Sequence, residues 1–145
     1  FRNRKAFHEY HFEERVEAGL VLTGTEVKSL RDGKCTLDEA YARLTDDEVF
    51  LVGMDVAQYP QAVGVLQHDP KRTRKCLLKK RQIAQLIKLT AQKGMTIIPL
   101  AIYFNHGYAK VELGIGRGKV QRDKRRDLKD RQAKRDIDRV MRRGR

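Results

Sequence analysis

Apolar and polar positions alternate most regularly over residues 96 to 116. Ile98, Leu100, Ile102 and Phe104 recur at every second position, and Val111, Leu113 and Ile115 do so against Lys110 and Glu112. Asn105-His106-Gly107 lies between the two runs and tolerates the backbone of a tight turn, so the stretch predicts a β-hairpin. Residues 41 to 56 read as a second hairpin, with apolar segments on both sides of Thr45 to Glu48 and a turn at Asp46 and Asp47. A further extended segment is predicted over Val16 to Leu22. Thr25 follows it, with a hydroxyl able to cap a short helix that carries Glu26 in its first turn and ends at Gly33.

The period lengthens where Ile83, Leu86, Ile87 and Thr90 follow the spacing of one helical face, and Gly94 can take the left-handed position beyond its end. Lys79, Lys80, Arg81 and Lys88 fall on the other face. No internal repeat and no Pro- or Ser-rich linker divides the chain. Short strands outnumber helices, so the predicted fold is mainly β: a small, partly open antiparallel barrel in a Greek-key order, with two or three flanking helices.

Charge divides the chain where hydropathy does not. Residues 117–145 hold 14 Lys or Arg against five Asp or Glu, a net of +9 out of +13 for the whole chain. The first 116 residues carry 18 basic and 14 acidic side chains, net +4, so an ordinary domain, 1–116, is joined to a basic C-terminal tail, 117–145. That asymmetry points to a polyanionic partner, RNA above all. Apart from Val120, the apolar side chains of the tail are Leu128, Ala133, Ile137, Val140 and Met141, too few to offset ordering at about 1 to 2 kcal/mol of backbone entropy per residue. Free, the tail is expected to be disordered or a fraying helix. Asp127 with Arg131 and Asp130 with Lys134 are helix-favouring pairs, so a polyanionic surface can fold it.

Other chemistries find little support. The longest apolar run, around Ile97 to Phe104, contains Pro99 and falls short of the ~18 residues that span a bilayer. No secretory signal is visible, and cytoplasm is the expected location. Cys35 and Cys76 have no CxxC partner and read as free thiols without a functional role. Gly114 to Val120 is glycine-rich but lacks the glycine spacing and the Ser or Thr of a phosphate-cradling loop, and Lys119 replaces the third glycine of a dinucleotide fingerprint. His8-Glu9-Tyr10-His11 is one residue short of the zinc-protease helix motif. Glu13, Glu14 and Glu17 read as a solvated face more readily than as a Mg²⁺ site. No catalytic residue, metal or cofactor is therefore expected.

Lys71, Arg72, Arg74, Lys75, Lys79, Lys80 and Arg81 place seven cations within eleven residues with no acid among them. A surface that merely solubilises mixes signs, so this stretch reads as an RNA contact. Tyr10, Tyr59 and Tyr108 are isolated aromatics and read as core. The body is suited to the shape and backbone of structured RNA more than to base-by-base reading.

Several segments together resemble one family. They are Asn3-Arg4-Lys5-Ala6, Glu17-Ala18-Gly19-Leu20, Gly24-Thr25-Glu26-Val27-Lys28-Ser29-Leu30-Arg31, and His68-Asp69-Pro70 followed by Arg72, Arg74 and Lys75. Ala109 to Gly114 and Arg117-Gly118-Lys119 with Asp123-Lys124-Arg125 complete the set. In this order they resemble small protein B, the bacterial tmRNA-binding (SsrA-binding) family, nearly end to end.

The resemblance implies an OB-fold-like barrel that holds the tRNA-like domain of alanyl-tmRNA and delivers it to stalled ribosomes. It implies tmRNA contacts at Asn3, Arg4, Lys5, Glu17, Lys28, Arg31, Arg72, Arg74 and Lys75. Glu17 cannot neutralise phosphate, so there it would accept hydrogen bonds from base or ribose donors, or orient a neighbouring cation. Without the resemblance it reads as a strand residue paired with Arg15 or a lysine. For the tail, the resemblance implies the decoding centre and empty mRNA channel of the small subunit, entered by Gly118, Lys119, Arg122, Asp123, Lys124, Arg125, Lys129, Arg131, Lys134 and Arg135. Arg122 stands where Tyr or His is usual, Val120 where Lys is usual and Cys76 where Leu is usual. A ribosomal or ribosome-assembly rRNA-binding protein would explain the tail but not the two dense motifs, and an RNA-processing enzyme would need acidic or metal-binding groups that are missing. No membrane or small-molecule partner is expected.

Overall fold

The chain was analysed as a computed structural model that describes residues 1–62, 64, 67–119, 131, 132, 134–137 and 139. Both predicted hairpins form. Strands β3 (Tyr41–Thr45) and β4 (Glu48–Val52) are joined at Asp46 and Asp47, both with positive φ, +50° and +60°. Strands β7 (Met95–Asn105) and β8 (Tyr108–Gly118) are joined at His106 and Gly107, φ +52° and +81°. Two consecutive left-handed residues match the right-handed twist of the flanking strands, which is why these short polar residues and glycine occupy the turns.

β1 (Tyr10–Leu20) begins six residues before the predicted Val16, because its polar first half pairs with β8 and needs no apolar alternation to be held. Its last residues turn to β6 (Arg74–Leu77), with Gly19 opposite Leu77 and Leu20 opposite Cys76. The order β1-β6-β4-β3-β7-β8 closes into a barrel rather than staying partly open, although the β3/β7 seam rests on a single pair, Ala42 with Ile97. β2 (Cys35–Thr36) and β5 (Asp55–Val56) form a separate two-stranded sheet.

The alternation in β7 does not map to one face. A register shift between Pro99 and Ala101 reverses the phase, so Ile97 and Ile102 enter the barrel core with Val49, Leu51, Val111 and Leu113. Ile98 and Leu100 instead pack outside the barrel under Ala6, Phe7, Tyr10 and Phe12. Proline has no N–H to give to the ladder, and a bulge is where a strand tolerates it. The outer cluster is roofed by α1 (Arg4–Glu9), a helix with too little apolar periodicity to be read from sequence.

α2 (Gly24–Arg31) starts after Thr23, not Thr25. The Thr23 hydroxyl accepts from the Glu26 amide at 3.4 Å while the Glu26 carboxylate accepts from the Thr23 amide at 2.8 Å, a reciprocal capping box. α3 (Lys80–Thr90) forms as predicted and is followed by Gly94 at φ +81°. Its inner face is Leu86 with Ile83 and Leu89, whereas Ile87, expected on that face, is 43% exposed. β8 continues two residues past Gly116, so Arg117 and Gly118 belong to the barrel ladder, opposite His11 and Tyr10.

Candidate nucleic-acid interface

The two densest motifs meet in space. Glu26, at the third position of α2, is fully buried and receives Arg72 Nη2 at 2.6 Å and Arg74 Nε. Arg74 is itself fully buried and donates to four carbonyls: Met54 and Arg72 at 2.8 Å, Pro70 at 3.0 Å and Asp69 at 3.5 Å. Burial alone would raise the Glu26 carboxyl, but the hydrogen bonds from Arg72 and the Thr23 amide and the charge of Arg74 hold it below the ordinary value. One residue earlier, Thr25 Oγ1 lies 2.8 Å from Nδ1 of the buried His68, whose Nε2 is 2.9 Å from the Val56 carbonyl. Since a carbonyl only accepts, Nε2 carries the proton and Nδ1 accepts from the Thr25 hydroxyl when the ring is neutral. Residues 24–31 and 68–75 thus form one folded unit.

This unit changes the reading of the basic stretch. Of its seven cations, Arg74 is internal, Arg72 is turned toward Glu26 and the Val21 carbonyl (3.2 Å), and Lys75 pairs with Glu48 at 3.2 Å. Lys71, Lys79, Lys80 and Arg81 are exposed. Arg74 therefore offers RNA no surface here; it shapes the loop that carries the others. Asn3 is likewise internal. It is 2% exposed, caps α1 through Oδ1 (Ala6 amide, 3.1 Å) and donates from Nδ2 to the carbonyls of Pro99 (2.9 Å) and Leu37 (3.3 Å).

The expected contact residues that do face outward lie on α1, α2 and β1. Arg4 is exposed, and Lys5 pairs with Glu39 at 3.2 Å. Lys28 holds its ammonium 5.2 Å from the Tyr59 ring, and Arg31 its guanidinium 5.1 Å from Phe104. These cation–π contacts keep both charges extended at the surface. Lys28, Tyr59, Gln61, Thr25 and Arg72 line an open groove of about 750 Å³ beside the start of α2. Tyr59 is only half-buried, contrary to its reading as core, and its loop is clamped by Gln67, which bonds both backbone groups of Tyr59 at 3.0 and 2.7 Å. Nothing in the sequence pattern marked Gln67.

Glu17 is exposed on β1 and accepts from the Tyr103 hydroxyl on β7; Arg15, its expected partner, pairs with Glu112 at 3.3 Å instead. Burial, the hydrogen bond to Glu17 and the charges of Glu17 and Glu112 push the Tyr103 phenol up to about 12. Tyr108 is 72% exposed at the β7–β8 hairpin, not core, while Tyr10 stacks on Phe12 with ring centroids 5.9 Å apart. Cys35 and Cys76 are free, and burial pushes their thiols up to about 11 and about 12, away from the reactive thiolate.

Of the residues expected in the tail, Gly118 is a strand residue and the Lys119 amide donates to the Glu9 carbonyl at 2.6 Å. Arg131, Lys134 and Arg135 are helical and exposed. Arg122, Asp123, Lys124, Arg125 and Lys129 lie outside the described residues.

Comparison with known proteins points the same way. A SsrA-binding protein of Chloroflexus aurantiacus is 51% identical over 143 residues, 99% of this chain and 89% of its own length. One from Geobacillus kaustophilus is 48% identical over 141 residues, 97% of this chain and 90% of its own. One from Listeria welshimeri is 49% identical over 140 residues, with 97% and 90% covered. A solved chain from work on tmRNA–SmpB at the centre of the bacterial ribosome superposes with TM-score 0.70 and 46% identity, covering 83% of this chain and 85% of that one. The SmpB protein family model matches residues 1–143, and this chain belongs to that family.

Proposed function

We propose that this protein binds tmRNA and brings it to stalled ribosomes in trans-translation, as a binding adaptor and not an enzyme. The observation that carries the reading is the match to SsrA-binding proteins over nearly the whole chain, including both motifs joined by Glu26, Arg74 and His68. The barrel is the tmRNA-binding part. Lys28 and Arg72 supply charge at the open groove, Arg31 supplies charge beside Phe104 at the other end of α2, and Glu17 supplies an acceptor for base or ribose donors that a phosphate-only contact would not need. Asn3 and Arg74 act by holding α1 and the 68–75 loop in place.

The tail is the ribosome-binding part. A strongly cationic segment with few apolar side chains gains most of its order from neutralising phosphates, so a vacant, rRNA-lined mRNA channel favours its folding and an occupied one does not. Binding of the full chain, and of a chain ending at Lys119, to tmRNA's tRNA-like domain, a structured control RNA and vacant small subunits across a salt series tests both parts. Selection of the tRNA-like domain by both proteins, with ribosome affinity gained only by the full chain, is expected. Equal affinity for all RNAs would reduce the protein to a general rRNA binder.

A further inference from the structure

Glu17 on β1 and Glu112 on β8 stand directly opposite each other, and like charges at such a cross-strand pair repel. Each carboxylate is relieved from a different side. Arg15, two residues before Glu17 on the same face of β1, pairs with Glu112 at 3.3 Å. Glu17 is in no ion pair among the described residues, although Arg15 shares its face and Lys110 lies diagonally across from it. Its Oε2 accepts instead from the hydroxyl of Tyr103, which reaches it from β7 across the width of β8.

This hydrogen bond is not what joins the three strands. β8 is laddered to β1 from Tyr10 to Gly19 and to β7 from Met95 to Asn105, while Glu17 lies at the exposed surface. What the hydroxyl does is fix the carboxylate. A free glutamate beside two cations turns to one of them and gives up its charge to an ion pair. Tyr103 is a neutral donor, so it orients Oε2 without neutralising it and leaves Oε1 with no protein partner among the described residues. Burial and the two neighbouring carboxylates push the phenol up to about 12, so the donor keeps its proton. Gly19, the next β1 residue on that face, has no side chain, which leaves the carboxylate open to approach from that end. A carboxylate held in this way repels phosphate and offers acceptors to the N–H edge of a base.

We infer that Tyr103 is a positioning residue for RNA recognition: its hydroxyl holds the Glu17 carboxylate outward and unneutralised, where it accepts from base N–H groups. It therefore serves selectivity and not phosphate affinity. The inference rests on the function proposed above, and on the Glu17 contact in particular.

The test is a double-mutant cycle. Tyr103→Phe, which keeps the ring, Glu17→Ala and the double variant are compared with the wild type for binding to tmRNA's tRNA-like domain and to a structured control RNA across a salt series, with thermal melts of each protein. Tyr103→Phe should weaken binding to the tRNA-like domain about threefold to fivefold, the loss of a supporting hydrogen bond. In the Glu17→Ala background the same change should cost less than about 1.5-fold, because the group it positions is gone. The salt slope and the affinity for the control RNA should match the wild type, since no phosphate contact is removed. Full affinity in Tyr103→Phe, the same loss in both backgrounds, an equal loss on both RNAs, or a loss that tracks a lowered melting temperature overturns the positioning role. A wild type that does not prefer the tRNA-like domain to the control overturns the proposed function instead, and a Glu17→Ala protein that keeps full affinity overturns the Glu17 contact on which this role depends.

Discussion

Glu26 and Arg74 stand 48 residues apart in the chain and form an ion pair with neither side chain exposed to solvent. The pair joins the third position of α2 to the first residue of β6, and Arg72 shares the same carboxylate. Removing one member of such a pair leaves the other as an uncompensated buried charge, which costs about 3 to 5 kcal/mol. Arg74→Met is expected to destabilise the protein by about that much in urea unfolding. Glu26→Gln should cost less, because Arg74 retains its four carbonyl acceptors.

The same carboxylate sets a pH dependence. Its folded pKa lies below its ordinary value, so the pair contributes fully above the unfolded pKa of about 4.3 and loses that contribution as pH falls through the folded value. The melting temperature of the wild type should therefore drop below about pH 4 more steeply than that of Glu26→Gln. Equal slopes in thermal melts from pH 7 to pH 3 would show that another group carries the acid sensitivity.

Asn3 should behave as a structural residue. Asn3→Ala removes the α1 cap and leaves the Pro99 and Leu37 carbonyls without its donors. Loss of the cap alone costs about 1 kcal/mol and each unsatisfied buried group about as much again. Weakened tmRNA capture in this variant should track loss of amide protection in α1, and protection that survives intact would return Asn3 to the interface.

At Gly116 the backbone of β1 leaves no room for a side chain on β8. A Cβ there would lie 1.9 Å from the His11 carbonyl oxygen and 2.7 Å from its carbon, both backbone atoms that cannot turn aside. Gly116→Ala should cost at least the ~1 to 3 kcal/mol of ordinary overpacking, read by thermal melts and by hydrogen exchange over Tyr10 to Val16.

Glu17 and the tail should separate capture from rescue. Glu17→Ala is expected to weaken binding to the tRNA-like domain about tenfold, the loss of one good charge-assisted hydrogen bond. Truncation after Lys119 should leave that binding intact and abolish rescue in a translation assay. The cut belongs after Lys119 and not after Gly116, because Arg117 is laddered to His11 and Met95 and bonds Glu13.

What could be read from the chain alone follows local rules. Asp46-Asp47 and His106-Gly107 announce their turns because few residue types tolerate left-handed backbone, and the spacing of Ile83, Leu86, Ile87 and Thr90 announces α3 because a helix repeats every 3.6 residues, although the packed face turns toward Leu89 and leaves Ile87 exposed. The tail's charge excess, being a sum over residues, needs no structure at all. Tertiary structure decided everything that depends on distant neighbours. It closed the barrel at Ala42 and Ile97, reversed the face of β7 at Pro99 and drew the unpatterned first half of β1 into the ladder. It also sorted the cations: Arg72 and Arg74 look like Lys79 and Lys80 in a string of letters, yet a buried carboxylate 46 and 48 residues away claims the first two and leaves the others to solvent. A side chain's charge belongs to its sequence, but whether that charge is spent inside the fold or offered to a partner depends on which residues the fold brings within hydrogen-bonding reach.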